Sequence, residues 1–309
     1  MTIEPAWQLA DLKRAALGRA RAWVSPSVFA RVSPLLEVPI VDPDAPLGDD
    51  LDTLIVIGGG TLIDRAKVAA KDRNRPLRLV AIPSVWGSGA EASPIVVLDR
   101  GGAKEIRVDR KYLPEHRVIW PELASSISPD QAKTGCGDCW AHALEGFLSP
   151  LADATLRADL AGLMHQMLDL PLTNDARWFE MSARACAGQA RSSVGLMHGI
   201  AHTLEGPLRA TVPDRRWGHA AIIATVFLPV LDFDQRTSTR CGELVREFDL
   251  GIAAIAAVGR SLFDRETYDR LRPAIGEYWP RILRDPCTRT NCALVRPAHV
   301  DHFLSWSCP

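Results

Sequence analysis

Histidine is scarce in this chain, with eight among 309 residues, yet GLMHGIAHTLEG places His198 and His202 four apart in an apolar run. His219 follows beyond an Arg-rich connection. A second pairing, in GCGDCWAHALEGF, sets Asp138 and His142 at the same spacing. On a helix that spacing brings two side chains to one face, roughly 5–6 Å apart at Cβ. One carboxylate with imidazoles drawn from separate helices makes a mixed oxygen and nitrogen site suited to Zn2+ or Fe2+. Such a cation acts as a Lewis acid, and a histidine left out of ligation can move protons near neutral pH. Any one of these histidines alone would read as a core or surface residue. The set points to a metal.

A different chemistry is suggested by VIGGGTLIDRAK, where Gly58, Gly59 and Gly60 stand between a strand-like run and a helical pattern. Glycines allow a tight turn and close backbone approach, and a helix N-terminus presents N–H groups and a positive dipole end to a phosphate. Thr61 can cap that helix or donate to the same anion. The pattern is neither GxGxxG nor a Walker loop. SVWGSGAE also follows a strand-like run and supplies Ser84, Gly87 and Ser88. Two such loops at neighbouring strand ends suit a pyrophosphate. Cys136 and Cys139 form a CxxC with no second pair at structural-zinc spacing, which reads as two thiols on a helix.

The elements that must hold these groups change character along the chain. RAWVS (21–25), VPIVD (38–42), TLIVIGG (53–59), RLVAIP (78–83) and PIVVLD (94–99) read as strands, and TLIDRAKVAAKD (61–72) as a helix. Strand, glycine turn, helix, strand predicts a parallel sheet with crossover helices. After about residue 121 come long helical segments: SPDQAKTGCGDCWAHALEGFLS, ATLRADLAGLMHQMLDL, ARWFEMSARACAGQARSSVGLMHGIAHTL, GHAAIIATVFLPVLDF and GELVREFDLGIAAIAAVGRSLF. Pro273, Pro280, Pro286 and Pro297 predict an irregular last segment. The expected organisation is an α/β domain over 1–121 followed by an all-α domain over 122–309.

The order GGGTLIDRAK, SVWGSGAE, GDCWAHALEGF, GLMHGIAHTLEG, GHAAIIATVFLP resembles the iron-containing (group III) alcohol dehydrogenase family. That family carries GGGSxxDxAK, TTxGTGSE, DALxHAxE, GxxHGxAHxLG and PHGxxNAxxLP, and the match runs from about residue 53 to about residue 230. The resemblance implies a nucleotide-binding α/β domain and a helical metal domain with the reaction in the cleft between them. By position it implies Asp138, His142, His198 and His219 as metal ligands for iron or zinc, with His202 as a non-ligand histidine near the substrate. Gly58, Gly59, Gly60, Thr61 and Asp64 match the first NAD(H) or NADP(H) loop, and Ser84, Gly87 and Ser88 match the second. Lys104 matches the lysine that reaches the nicotinamide ribose. Hydride transfer between that cofactor and an aldehyde, ketone or alcohol is the implied reaction.

Departures from the pattern set out what else to expect. The segment before GGGTLIDRAK is shorter than the family's, Val85 and Trp86 replace Thr and a small residue, and Trp120–Pro121 replaces Asp-Pro. A Trp in the second loop either covers a nucleotide or excludes one. The connection before His219 carries Arg209, Asp214, Arg215 and Arg216, which would suit an anionic carbonyl substrate. The alternative is a metal-dependent lyase or hydrolase that kept the metal domain and lost dinucleotide function. A non-catalytic binding protein is a third class, disfavoured by the intact metal set. A net charge of −1 and 24% charged residues argue against nucleic acid and membrane-surface partners. Seven cysteines at irregular spacing and an acidic N-terminal stretch predict a cytoplasmic protein with reduced thiols, and family members commonly self-associate, as a homodimer for example.

Overall fold

TLIVIG is apolar on both faces, and a strand with no polar side must be covered on each. In the computed structural model, which describes residues 4–100, 103–211 and 217–308, all six residues of this strand are buried. Strands β1 (Trp7–Gln8), β2 (Ala20–Val24), β3 (Thr53–Gly58), β4 (Arg78–Pro83), β5 (Ile95–Arg100), β6 (Ala103–Val108) and β7 (His116–Ile119) form two sheets. One is parallel, in the order β1-β7-β4-β3-β2, and the other is an antiparallel β5–β6 hairpin. PIVVLD is therefore a strand, but it pairs Val96 with Arg107 and Val97 with Ile106 outside the parallel sheet. The polar run AKEIRV gave its partner no apolar signature.

VPIVD does not form the strand its composition predicts. Only a single parallel bridge, Ala22 with Ile40, is made beside β2. The reason is local: Pro39 has no N–H to donate, and the Asp42 carboxylate turns the chain by accepting from the Asp44 N–H at 2.8 Å.

The chain forms two compact units, Met1–Ala132 with Leu172–Ala187, and Lys133–Pro171 with Gly188–Pro309. In the first unit, α1 (Leu9–Arg14) and α2 (Phe29–Val32) are short, and α3 (Gly60–Lys71) packs on the sheet. Ile63, Ala66 and Ala70 of α3 meet Trp23, Leu54, Val56, Leu79 and Ala81 in one core. Helix α4 (Pro129–Leu148) leads into the second unit, followed by α5 (Ala154–Leu168) and α6 (Arg177–Gln189), which to Ala187 belongs to the first. The rest of the second unit is α7 (Leu196–Thr211), α8 (His219–Thr237), α9 (Thr239–Glu247), α10 (Ile252–Leu262), α11 (Arg265–Ile282) and α12 (Val300–Ser305).

Two long helical patterns are each cut in two. Ser193 and Asp249 adopt left-handed backbone, φ 72° and 53°, and end a helical run in each case. The proline-rich end is more regular than expected, because α11 runs through Pro273 and Pro280. Tyr268, Leu271, Ile275, Trp279 and Ile282 bury one face at helical spacing, which outweighs the lost N–H groups. Among the described residues no helix is long and apolar enough to cross a membrane.

Candidate metal centre

Three helices of the second unit bring the polar residues together. α4 carries Asp138, His142 and Glu145, α7 carries His198 and His202, and α8 begins at His219. Gly137 permits the approach of α4 to α8: a Cβ there would lie 3.0 Å from the Ala224 Cβ. Asp138 Oδ1 lies 3.6 Å from His142 Nδ1, 3.7 Å from His198 Nε2 and 3.9 Å from His219 Nε2. Tetrahedral donors at zinc-like bond lengths of ~2.0–2.1 Å stand roughly 3.3 Å apart, so these edges are a few tenths wide of a closed coordination shell. Asp138, His142 and His198 are buried, whereas the His219 side chain is 27% exposed and marks the open side.

Two atoms decide how this cluster is read. Asp138 Oδ1 and His198 Nε2 are both buried with no hydrogen-bond partner. An unmet buried polar group costs about 1–3 kcal/mol, and more if charged, so a pair of them facing each other needs an explanation. A cation between them satisfies both. Burial raises the Asp138 pKa against the pull of His142 and His202. Burial and the neighbouring imidazoles push His198 well below its usual value, which keeps it as the neutral, ligating form.

Glu145 is a site residue that reasoning from motifs passed over. Its Oε2 lies 2.6 Å from His198 Nδ1 and accepts from the Gly195 N–H at 2.8 Å, and its Oε1 accepts from the Met197 N–H at 2.6 Å. The carboxylate thus caps α7 and binds His198 Nδ1, turning Nε2 toward Asp138. Gly195 makes room, since a Cβ there would stand 3.0 Å from Glu145 Oε1. Burial moves Glu145 up to about 8, opposed by the N–H donors. Its signal in the sequence is the closing Glu of the DALxHAxE pattern, three residues after His142, to which no role was carried over. His202 is turned elsewhere: its Nδ1 is 3.7 Å from Cys287 Sγ and 3.8 Å from Asp285 Oδ2, and its ring stacks on His219 at 5.3 Å.

In the first unit the two loops lie at the carboxyl ends of adjacent strands. Gly58 ends β3, Gly59 is the N-cap of α3 and Gly60 its first residue. No side chain caps this helix, so its first N–H groups are left to a ligand or water. The Ser84 N–H donates to Gly58 O, and a Cβ on Gly60 would lie 2.5 Å from Ser88 Oγ, so the loops adjoin. Thr61 is exposed.

Comparison with known proteins gives this layout a context. The model of the family described as iron-containing alcohol dehydrogenase matches residues 45–121. Maleylacetate reductase 2 of Cupriavidus pinatubonensis is 31% identical over 196 residues, covering 60% of this chain and 52% of the relative. Over these stretches the chain is similar to the iron-containing alcohol dehydrogenase family. It spans about half the length of that curated relative. The fold is that of two solved structures which it covers almost completely. The iron-containing alcohol dehydrogenase of Thermococcus thioreducens superposes with TM-score 0.74 at 20% identity, covering 98% of this chain and 96% of the other. Sulfoacetaldehyde reductase of Bifidobacterium kashiwanohense, in complex with NAD+, gives 0.71 at 16%, covering 97% and 94%.

Within this family fold, not every position carried over by motif is available to a ligand. Both oxygens of Asp64 are engaged, one with Lys67 Nζ and one with the Val97 N–H, each at 2.9 Å, so Asp64 braces α3 against β5 from below the glycine turn. Lys104 lies on β6, 3.9 Å from Asp99. Trp86 is 3% exposed, donates from its indole to Ala132 O and meets Phe179 edge-on, so it is a core side chain. Gly87 adopts φ 122° and donates to Ser182 Oγ. Arg209 pairs with Glu205 at 3.1 Å, while Asp214, Arg215 and Arg216 lie outside the described residues.

Proposed function

We propose that this chain is a metal-dependent, nicotinamide-linked oxidoreductase that interconverts an aldehyde or ketone with an alcohol. The convergence of Asp138, His142, His198 and His219, with two buried donor atoms left unmet, carries the reading. Those four side chains would hold a divalent cation, iron or zinc, and Glu145 would orient His198. When bound, the cation supplies Lewis acidity to a substrate oxygen and NAD(H) or NADP(H) supplies the hydride.

The protein's own part is positioning and proton movement. The first-turn N–H groups of Gly60 and Thr61, uncapped by any side chain, fit a pyrophosphate, with Gly58, Gly59, Ser84, Gly87 and Ser88 shaping the turn. We assign Asp64 a supporting place beneath that turn and Lys104 the ribose contact. To His202, 13% exposed at its side chain, we assign the passage of a proton between the substrate oxygen and water. Maleylacetate and sulfoacetaldehyde, the compounds in the names of two relatives, are anionic carbonyl compounds, and we extend that class to this chain as substrate. Reduced thiols suggest a cytoplasmic enzyme, and we propose that it is a homo-oligomer.

Titration of NADH and NADPH into metal-loaded protein, followed by nicotinamide fluorescence, tests the reading. Saturable binding with aldehyde-dependent oxidation is expected. No binding of either nucleotide to a protein that retains one tightly held ion would replace it with the metal-dependent lyase or hydrolase.

A further inference from the structure

Outside the four-residue cluster, a second set of donors converges on one point. His202 Nδ1, Asp285 and Cys287 Sγ place their ligand atoms within 4.8 Å of one another. Asp285 and Cys287 are each fixed by something other than the cluster. Asp285 closes α11 by donating its N–H to Arg281 O and Ile282 O. Its Oδ1 accepts from the Cys287 N–H at 2.8 Å, which leaves Oδ2 turned to His202 at 3.8 Å. Cys287 opens a tight turn in which Thr290 donates to its carbonyl at 3.1 Å. That turn lies against α7 because Gly199 has no side chain: a Cβ there would collide with Thr288 Oγ1. The one glycine between His198 and His202 is what lets Cys287 come within 3.7 Å of the His202 ring nitrogen.

We propose that His202, Asp285 and Cys287 form a second divalent-cation site that takes a thiophilic ion such as Zn2+. The donor set is one imidazole, one carboxylate and one thiol, the three ligand types zinc accepts, leaving a fourth position to water. Tetrahedral N–S and N–O edges at zinc bond lengths come to roughly 3.3–3.6 Å, and the observed 3.7 and 3.8 Å need only a small inward movement. A Cys–His–Asp catalytic relay is not what the geometry shows. A relay uses opposite ring nitrogens for nucleophile and carboxylate, whereas both groups here face the same Nδ1. Side chains of His202 and Asp285 that are each 13% exposed leave an entry path for an ion. The geometry of the site involves no hydride transfer, but it shares His202 with the proposed proton relay: an ion on Nδ1 leaves only the Nε2–H and takes the imidazole out of proton transfer while it is bound.

The test uses the full chain stripped by chelator and reloaded. After loading with Zn2+ and removal of excess, wild type is expected to hold two ions per chain, and Cys287→Ser and Asp285→Asn one each. Loading with Co2+ gives a thiolate-to-metal absorption in the near ultraviolet that persists in His198→Ala and disappears in Cys287→Ser. Equal metal content in wild type and Cys287→Ser, or a cobalt band that survives Cys287→Ser, overturns the site. Because the band reports only thiolate ligation, failure at Asp138 and His198 is read separately from failure here. Should Cys287→Ser not fold, alkylation of wild-type Cys287 mapped by mass spectrometry decides instead: Zn2+ is expected to slow it at least about tenfold, and an unchanged rate overturns the proposal.

Discussion

Two buried polar networks, one in each unit, are built in opposite ways. In the first, Lys67 and Asp64 are both inside, and their bonds close on each other and on the backbone of Ile95 and Val97. Arg117 likewise makes two bonds to Glu180, at 2.7 and 3.1 Å. In the second unit, Glu145 is satisfied three times over, yet the imidazole it orients points Nε2 at an equally unmet Asp138 oxygen. A closed buried network is scaffold, because folding alone compensates its desolvation. An open one is paid for only when something else arrives. The contrast separates residues that hold the fold from residues that await a ligand, although both kinds are buried and charged.

The largest expected effect breaks the open network. His198→Ala or Asp138→Ala should release the ion and lower turnover by at least about 10³-fold, more than the 10–100-fold of an outer partner. Metal analysis beside the rate checks it. His202→Ala should keep the ion at Asp138 and lose turnover by about 10²–10⁴-fold, the scale of a lost proton relay. In the closed network the outcome inverts. Lys67→Met leaves Asp64 buried without its cation and should destabilise the first unit by roughly 3–5 kcal/mol in chemical denaturation, with metal content unchanged.

Glu91 sharpens the same comparison through pH. Burial raises its pKa from 4.5 to about 7, against the pull of Arg117 and Lys67. The folded state therefore holds this proton more tightly than the unfolded chain. Its stabilising contribution is complete below pH 4.5 and is lost as pH rises through about 7, a change on the order of 3 kcal/mol. Thermal unfolding from pH 4.5 to 8 should show that decline, and Glu91→Gln should flatten it. The smallest effect belongs to Glu145→Gln, which keeps the size of the side chain and one accepting oxygen but can no longer accept from both Gly195 and Met197, and so weakens the hold on His198. Metal affinity should fall about 10–100-fold, read by competition with a chelating dye.

Part of this was legible along the chain. The strands 20–24, 53–58 and 78–83, helix 60–71 and the switch to long helices all follow from apolar periodicity and glycine placement. The β5–β6 hairpin was half hidden, since β6 is largely polar, and the bridge at Ile40 was overread because composition outran hydrogen-bonding capacity. Spacing also paired Asp138 with His142, and His198 with His202, because four residues along a helix are a fixed distance in space.

Spacing could not divide that second pair. His198 and His202 share one helix face, yet His198 meets Asp138 and Glu145, while His202 meets Asp285 and Cys287 from a turn some eighty residues onward. What the amino-acid order determined by itself is local: which residues form strands and helices, and which side chains ride together on one face. What only the tertiary structure decided is which atoms those side chains confront, because the donors come from α4, α7, α8 and the turn after α11, and chain separation carries no record of that meeting. The glycines at 137, 195 and 199 are the places where the two levels touch, each a missing side chain that lets a distant element close in.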